Sequence, residues 1–370
     1  MPCHAATFSA GDTITILSLL VFAAGFVLFF SYWLTAASGA SQLYLPLLQA
    51  VVPPVIPDTT VPLTGASTDL LTISADGATF TFDAAADELQ QVRRLRDGLE
   101  GERREGRLDL AVLRAALRPD TVLVSLMAAN NEIGVLQPLA EIGRICKERG
   151  VLLHTDATQA VGKIPVDVQR LQVDLMSFAA HKIYGPKGIG ALYVRRRDPQ
   201  VRLESQIDGG RQEAGRRSGT LNVPGIVGFA AAVQLCLEEM PAEAERLRRM
   251  RDRLFAGMRS RVADVALNGP ALERTELRLS GNLNCSFAGV DGEALMMSMR
   301  DLAVSSGSAC TSAEPEPSHV LRALGLSDDL TRASLRFGLG RFNTEEEVDF
   351  AIDTVAASVA RLRELRGEAI

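Results

Sequence analysis

Val151 to Gln159 reads VLLHTDATQ, apolar at its start and polar at its end. A run of that length, rich in β-branched and aliphatic residues, is a buried strand that delivers His154, Thr155, Asp156 and Gln159 at its carboxyl end. The neighbouring segments follow the same logic. TVLVSLM (Thr121–Met127), DLMSFAA (Asp174–Ala180) and GALYVRR (Gly190–Arg196) are strand-like, whereas DLAVLRAAL (Asp109–Leu117) and LAEIGRICKERG (Leu139–Gly150) carry the helical period, the latter ending on a C-capping glycine. Strands alternating with helices imply an α/β fold with a mostly parallel sheet. In such sheets ligands bind beyond the carboxyl ends of the strands.

The polar clusters fall at those ends: Asn130-Asn131-Glu132, then His154 to Gln159, then His181-Lys182. Taken singly, an aspartate after a strand caps a helix and a loop lysine is solvated. Three strand ends on one edge, however, bring an amide, a carboxylate, a glutamine and a His-Lys pair to one crevice. A desolvated lysine there is a nucleophilic amine able to form a Schiff base. An aspartate facing a heteroaromatic nitrogen keeps it protonated, which is how pyridoxal phosphate becomes an electron sink.

Composition narrows the function classes. The 370-residue chain is 47% hydrophobic and 23% charged, with net charge −6. That balance leaves no basic surface for general nucleic-acid binding, so nucleic acid is not an expected partner. The arginine-rich stretches Arg93–Arg107 and Arg246–Arg261 read as solvated helix faces. The five cysteines (Cys3, Cys146, Cys236, Cys285, Cys310) are odd in number and lack C-x-x-C spacing, so neither a disulfide framework nor a metal-ligand set is indicated, and a reducing, cytoplasmic setting is expected for the catalytic region. Cys146, Cys236 and Cys285 lie in regular patterns and read as small core residues.

The amino-terminal part differs from the rest. Ile14 to Leu34, ITILSLLVFAAGFVLFFSYWL, has no charge over 21 residues and ends in Tyr32-Trp33; its expected structure is a transmembrane helix that anchors the chain. A Pro-rich linker reaches residue 62, giving a membrane segment with linker over 1–62. An unassigned region follows over 63–107, comprising a hairpin around Asp76-Gly77 and a charged helix. A large domain is expected over 108–235 and a smaller α/β domain over 236–370, its long helical stretch Val223–Val262 broken near Pro241 and its last helix opened by the capping box Thr344 to Glu347.

HTDATQAVGKIPVD (His154–Asp167), DLMSFAAHKIYGPKGIGALYV (Asp174–Val194), RRSGTLNVPGIVG (Arg216–Gly228), AVSSGSACTSAEPEPSHVLRALG (Ala303–Gly325) and SLRFGLGRFNTEEEVD (Ser334–Asp349) together resemble the cysteine desulfurases, a class V aminotransferase branch of the fold-type I pyridoxal phosphate enzymes. The resemblance runs from about Leu108 to Leu365. It implies a fold-type I PLP-transferase-like large domain, here incomplete, plus a small domain. It further implies pyridoxal 5'-phosphate as cofactor, L-cysteine as substrate, a homodimer, and a sulfur-acceptor or iron-sulfur scaffold protein as partner. By the same resemblance Lys182 condenses with the cofactor aldehyde, Asp156 pairs with the ring nitrogen, Gln159 bonds the ring hydroxyl and His181 helps hold the phosphate. Thr220 reaches the phosphate of the partner subunit, Asn131 and Arg336 hold the substrate carboxylate, and Cys310 receives sulfur as a persulfide. A loop of Ser, Gly and Ala suits a thiol that must reach both pocket and acceptor, and Pro315 and Pro317 keep a helix from starting before Ser318.

The chain also departs from that pattern. No Gly-Ala-Thr-Glu turn and no ring-stacking histidine precede Leu108. Ala179-Ala180 replace Ser-Gly before His181, removing a hydrogen bond to a charged group worth ~1.5–3 kcal/mol, and Ala128-Ala129 precede Asn130 where a histidine is usual. The opening third of the family pattern is thus unmatched, its strands are missing from the large sheet, and an open strand edge is expected. Two other readings therefore stand beside the desulfurase: a catalytically impaired, membrane-tethered interaction module derived from the same family, and another class V enzyme such as an aminotransferase or selenocysteine lyase, which would not need Cys310.

Overall fold

The computed structural model describes residues 13–18, 72–74, 80–81, 105–203, 205, 207–306 and 317–367. Cys310 and most of the charged helix expected over Asp87–Arg107 lie outside these residues, and its last three, 105–107, form no α-helix. Among those described, seven strands form one sheet in the order β3-β2-β1-β4-β5-β6-β7: β1 Thr13–Ser18, β2 Thr72–Ser74, β3 Phe80–Thr81, β4 Thr121–Met127, β5 Leu152–Asp156, β6 Leu175–Ala179 and β7 Gly190–Val194. Helices α1 (Leu110–Ala116) and α2 (Leu139–Glu148) supply the intervening crossovers.

Each element follows from its residues. Asp109 caps α1 by accepting from the Ala111 N–H at 2.7 Å. Helix α2 turns Leu139, Ile142, Ile145 and Cys146 inward, each buried side chain of that size being worth about 1.5–3 kcal/mol. Gly143 on the same face admits the Leu171 carbonyl, which a Cβ would meet at 2.3 Å. These residues pack with Leu113, Val124, Leu153 and Val173 into the core of the large domain.

The segment assigned to a membrane helix begins as strand: β1 pairs parallel with β4 (Ile16 opposite Leu123, Leu17 opposite Val124) and antiparallel with β2. TITILS alternates polar Thr with apolar Ile and is rich in β-branched residues, a pattern that favours strand over helix; residues 19–34 lie outside the described set. The open edge expected at β4 is consequently covered by β1. The sheet is also mixed rather than mostly parallel. β1-β4-β5-β6 run parallel, but β7 is antiparallel to β6 and β1-β2-β3 are antiparallel. The β6–β7 connection, residues 180–189, is too short for a crossover helix, so β7 must return antiparallel. The β2–β3 pair places the two arms of the hairpin expected around Asp76-Gly77, with Ile73 opposite Phe80.

Helix α3 (Val223–Arg261) runs unbroken through Pro241, against expectation. Proline removes one backbone bond, but both flanks of this helix are anchored by packing, and Pro241 itself is exposed. Its first half puts Phe229, Ala232 and Cys236 against Ala180 and Ile183 of the large domain. Its second half puts Met250, Leu254 and Met258 into the small-domain core. That core lies on a three-stranded antiparallel sheet of β8 (Val265–Leu267), β9 (Asn282–Phe287) and β10 (Ser334–Gly338), order β10-β9-β8. Helices α4 (Gly292–Ser298), α5 (His319–Ala323), α6 (Asp328–Arg332) and α7 (Glu345–Arg366) complete the domain. The capping box of α7 is formed in full, Thr344 and Glu347 each accepting the other's backbone N–H.

The arginines of α3 are not all solvated. Arg251 is 1% exposed and donates to the Leu272 and Leu279 carbonyls, while Arg246 donates to the carbonyls of Gly340, Arg341 and Asn343. Both tie the helix to irregular backbone that would otherwise be buried without donors.

Candidate active site

The carboxyl ends of β4, β5 and β6 face the small-domain sheet across a cleft of about 240 Å³. Its lining joins Asn131, Gln159, Lys163 and Lys182 from the large domain to Asn282 and Arg336 from the small one. Lys182 ends a 3-10 turn that follows β6 directly. Two residues on, Tyr184 takes a positive φ of 65°, unusual for an aromatic residue, and its hydroxyl accepts from the Arg341 N–H at 2.7 Å. That turn redirects the chain behind Lys182, so the lysine projects from the strand end; its residue is solvent-exposed rather than desolvated.

After β4, the buried Asn130 accepts from the backbone N–H groups of Glu132 and Ile133 at 2.8 and 2.9 Å, holding a tight turn. The small domain grips this turn. Arg336 Nη1 donates to the Asn131 carbonyl at 2.8 Å, and the amides of Asn282 and Asn284 donate to the Glu132 carbonyl at 3.3 and 3.2 Å. Arg336 Nε also donates to Ser305 Oγ at 3.0 Å. The Glu132 carboxyl is buried and accepts from Ser318 Oγ at 2.6 Å. Burial pushes its pKa up to about 7, the Ser318 hydroxyl and the Arg336 charge holding it back only in part.

Asp156, at the end of β5, is buried and accepts from the Thr158 N–H at 2.8 Å. Burial raises its pKa, a shift that a cation placed beside it would oppose. His154 on the same strand plays no part in the cleft. It is fully buried, shares hydrogen bonds with Ser125 Oγ (2.8 Å) and Ser177 Oγ (3.2 Å), and burial drives its pKa down to about 3. Cys146, Cys236 and Cys285 are buried free thiols, and burial pushes Cys146 up to about 12.

The structure therefore brings Lys182, Gln159, Asn131 and Arg336 into one cleft. Asp156 sits at the neighbouring strand end. His181 and Thr220 are solvent-exposed and outside the lining. An amine, a side-chain amide, a guanidinium and a buried carboxylate of raised pKa form a donor set that suits an aldehyde cofactor with a basic ring nitrogen. Among the described residues no His, Cys, Asp and Glu cluster has the arrangement of a metal site.

The family model "Aminotransferase class-V" matches residues 100–350. The chain belongs to the class V aminotransferase family. A cysteine desulfurase IscS of Anaeromyxobacter dehalogenans (strain 2CP-C) is 59% identical over 267 residues, covering 72% of this chain and 65% of that protein. A cysteine desulfurase IscS of Pectobacterium carotovorum subsp. carotovorum (strain PC1) is 54% identical over 286 residues, covering 76% of this chain and 69% of that one. The chain thus spans about two thirds of the length of these class V relatives. Among solved structures, a NifS-like protein superposes with a TM-score of 0.62 at 36% identity, over 70% of this chain and 66% of that one.

Sequence reasoning gave no role to Lys163, Asn282 or the carboxyl of Glu132. Lys163 was detectable, since it stands four residues after Gln159 and so shares its face of a helical turn. Asn282 and Glu132 were not, because their roles depend on contacts across more than a hundred residues of chain.

Proposed function

We propose that this chain acts as a pyridoxal-phosphate-dependent cysteine desulfurase, converting L-cysteine to L-alanine and leaving a persulfide on Cys310. The convergence of Lys182, Gln159, Asn131 and Arg336 on one cleft carries this reading. Lys182 would hold the cofactor covalently, Asp156 would face its ring nitrogen and Gln159 its ring oxygen. When bound, the cofactor supplies the electron sink that stabilises charge at the substrate Cα.

The protein's own groups do the rest. Arg336 presents its planar fork to the substrate carboxylate, with the Asn131 side chain beside it. The amine of Lys182 would serve as the base that takes the Cα proton. The thiolate of Cys310 then attacks the substrate sulfur. As the S–S bond forms, the Cβ–S bond breaks with its electron pair left on carbon, and a proton delivered there gives the methyl group of alanine. The persulfide passes to a sulfur-acceptor or iron-sulfur scaffold protein. Free thiols at Cys146, Cys236 and Cys285 support a reducing setting, the cytoplasm, for the catalytic region. A homodimer is part of the reading: Val223, Val227, Leu235 and Leu237 leave an exposed apolar face on α3 beside Thr220, the residue expected to reach the partner's cofactor phosphate.

A second reading, an impaired relative that works by interaction alone, is favoured by one observation: the expected phosphate ligands His181 and Thr220 stand outside the lining of the cleft. Visible absorbance separates the two. The desulfurase reading expects a yellow protein absorbing near ~420 nm, as lysine-bound cofactor does, and cysteine-dependent alanine and sulfide release that Cys310→Ala abolishes. A protein that stays colourless with added cofactor supports the second reading. Release that survives Cys310→Ala contradicts the sulfur-transfer step.

A further inference from the structure

Lys163 has no part in the roles given above, yet it lines the same cleft as Lys182 and Arg336. It is placed there by a single helical turn after β5. The backbone N–H groups of Lys163 and Ile164 both donate to the Ala160 carbonyl, at 3.0 and 3.1 Å, and the Val161 N–H donates to that of Ala157 at 2.9 Å. Gln159 and Lys163 are therefore one turn apart on the same face. Gly162, at φ 75°, presses the turn against the chain that follows Lys182; a Cβ there would lie 2.7 Å from Ile183 Cγ2 and 3.1 Å from Cys236 Sγ. The packing leaves little freedom to the side chain that follows, and Lys163 Nζ donates to Gln159 Oε1 at 2.8 Å.

The chemistry of that bond has a direction. An ammonium has three donors and no acceptor. Burial, with the charges of Lys182 and Arg336, pushes the Lys163 amine down to about 8, so it stays mainly protonated at neutral pH. It can accept only the oxygen of the Gln159 amide as partner. The NH₂ group of that amide is then forced to the other side, as a donor.

We infer that Lys163 is a positioning residue for Gln159, fixing the amide so that its NH₂ group, and not its oxygen, faces the ring oxygen of bound pyridoxal phosphate. The inference rests on reading the cleft as a pyridoxal phosphate site. Without Lys163 the amide can rotate and meet the anionic ring oxygen with its own oxygen, which is repulsive. Lys163 acts through Gln159, so its effect must vanish when Gln159 is gone.

A double-mutant cycle on cofactor affinity tests this. Apo full-length wild type, Lys163→Met, Lys163→Arg, Gln159→Ala and the Gln159→Ala/Lys163→Met double variant are titrated with pyridoxal phosphate, and Kd is read from visible absorbance and from equilibrium dialysis. Lys163→Met is expected to weaken binding about tenfold, the scale of one hydrogen bond to a charged group. Lys163→Arg, which keeps a donor-only head, stays within about threefold of wild type. The double variant binds no more weakly than Gln159→Ala alone. Wild-type affinity in Lys163→Met, or a double variant weakened by the product of the single effects, overturns the inference; the second result would make Lys163 an independent cation for an anionic ligand. Lys163→Gln, whose head has both donor and acceptor, is carried through the same cycle so that one unfolded variant does not decide the matter, and it is expected to resemble Lys163→Met. Failure of the wild type to bind the cofactor at all would instead overturn the functional reading itself.

Discussion

The large-sheet wall of the cleft and its small-domain wall reach the same space by different routes. On the large-sheet side, Asp156, Gln159 and Lys182 stand on the ends of β5 and β6 or on the first turn beyond them, and the first two are held by bonds within a few residues, Asp156 to the Thr158 N–H and Gln159 to Lys163. On the small-domain side, Arg336 sits inside β10 and works at long range, reaching the Asn131 carbonyl 205 residues away in sequence. The first wall is built mainly from neighbouring residues, with the chain behind Lys182 also packed on α3 and bonded to the Arg341 N–H. The second exists only while the two domains are docked, and Glu132, buried at the seam, is part of what docks them.

If this contrast holds, changes on the two walls will fail differently. Lys182→Ala should abolish cysteine turnover, by about 10⁴-fold or more, and remove visible absorbance. Arg336→Lys should leave the absorbance intact but lower kcat/KM for cysteine by about 10- to 100-fold, chiefly through KM, because lysine lacks the planar fork. Loss of colour in Arg336→Lys would show that the small domain also builds the cofactor half.

Glu132 sharpens the comparison through pH. Its folded pKa, about 7, lies above its ordinary 4.5, so between those values the fold keeps a proton that the unfolded chain has released. Its contribution is fully favourable below pH 4.5, and stability falls as pH rises through that window, by roughly 3 kcal/mol. Glu132→Gln keeps an acceptor for Ser318 without the buried charge. It should be more stable than wild type in urea at pH 8 by up to about that amount, and equal near pH 4.5. A difference that does not change with pH would contradict the seam carboxyl's titration. The smallest effect is expected from Ser305→Ala. Losing the acceptor of Arg336 Nε should raise KM for cysteine about three- to tenfold with kcat unchanged.

Much of the first wall was legible in the sequence, and the physics explains why. Strands β4, β5 and β6 announce themselves as short apolar runs, and their polar tails fall where an α/β sheet binds ligands. The second wall was less open to reading. Nothing local marks Arg336 as more than a strand arginine, and only resemblance singled it out. The arginines of α3 mislead in the same way: Arg246 and Arg251 look like a solvated face until distant carbonyls come to meet them. Ile14 to Ser18 was misread because lack of charge over a long run outweighed the two-residue alternation inside it, which pairs as β1. The direction of β7 was legible in principle, since residues 180–189 cannot hold a crossover, but the α/β pattern suggested otherwise.

Two amines, Lys182 and Lys163, share the cleft, and the proposed function requires the cofactor on the first. Borohydride reduction of the cofactor-loaded protein, followed by proteolysis and peptide mass mapping, reads this directly. The mass of reduced pyridoxal phosphate is expected on the peptide containing Lys182 and not on the one containing Lys163. Label on Lys163 alone, or on neither, would contradict it.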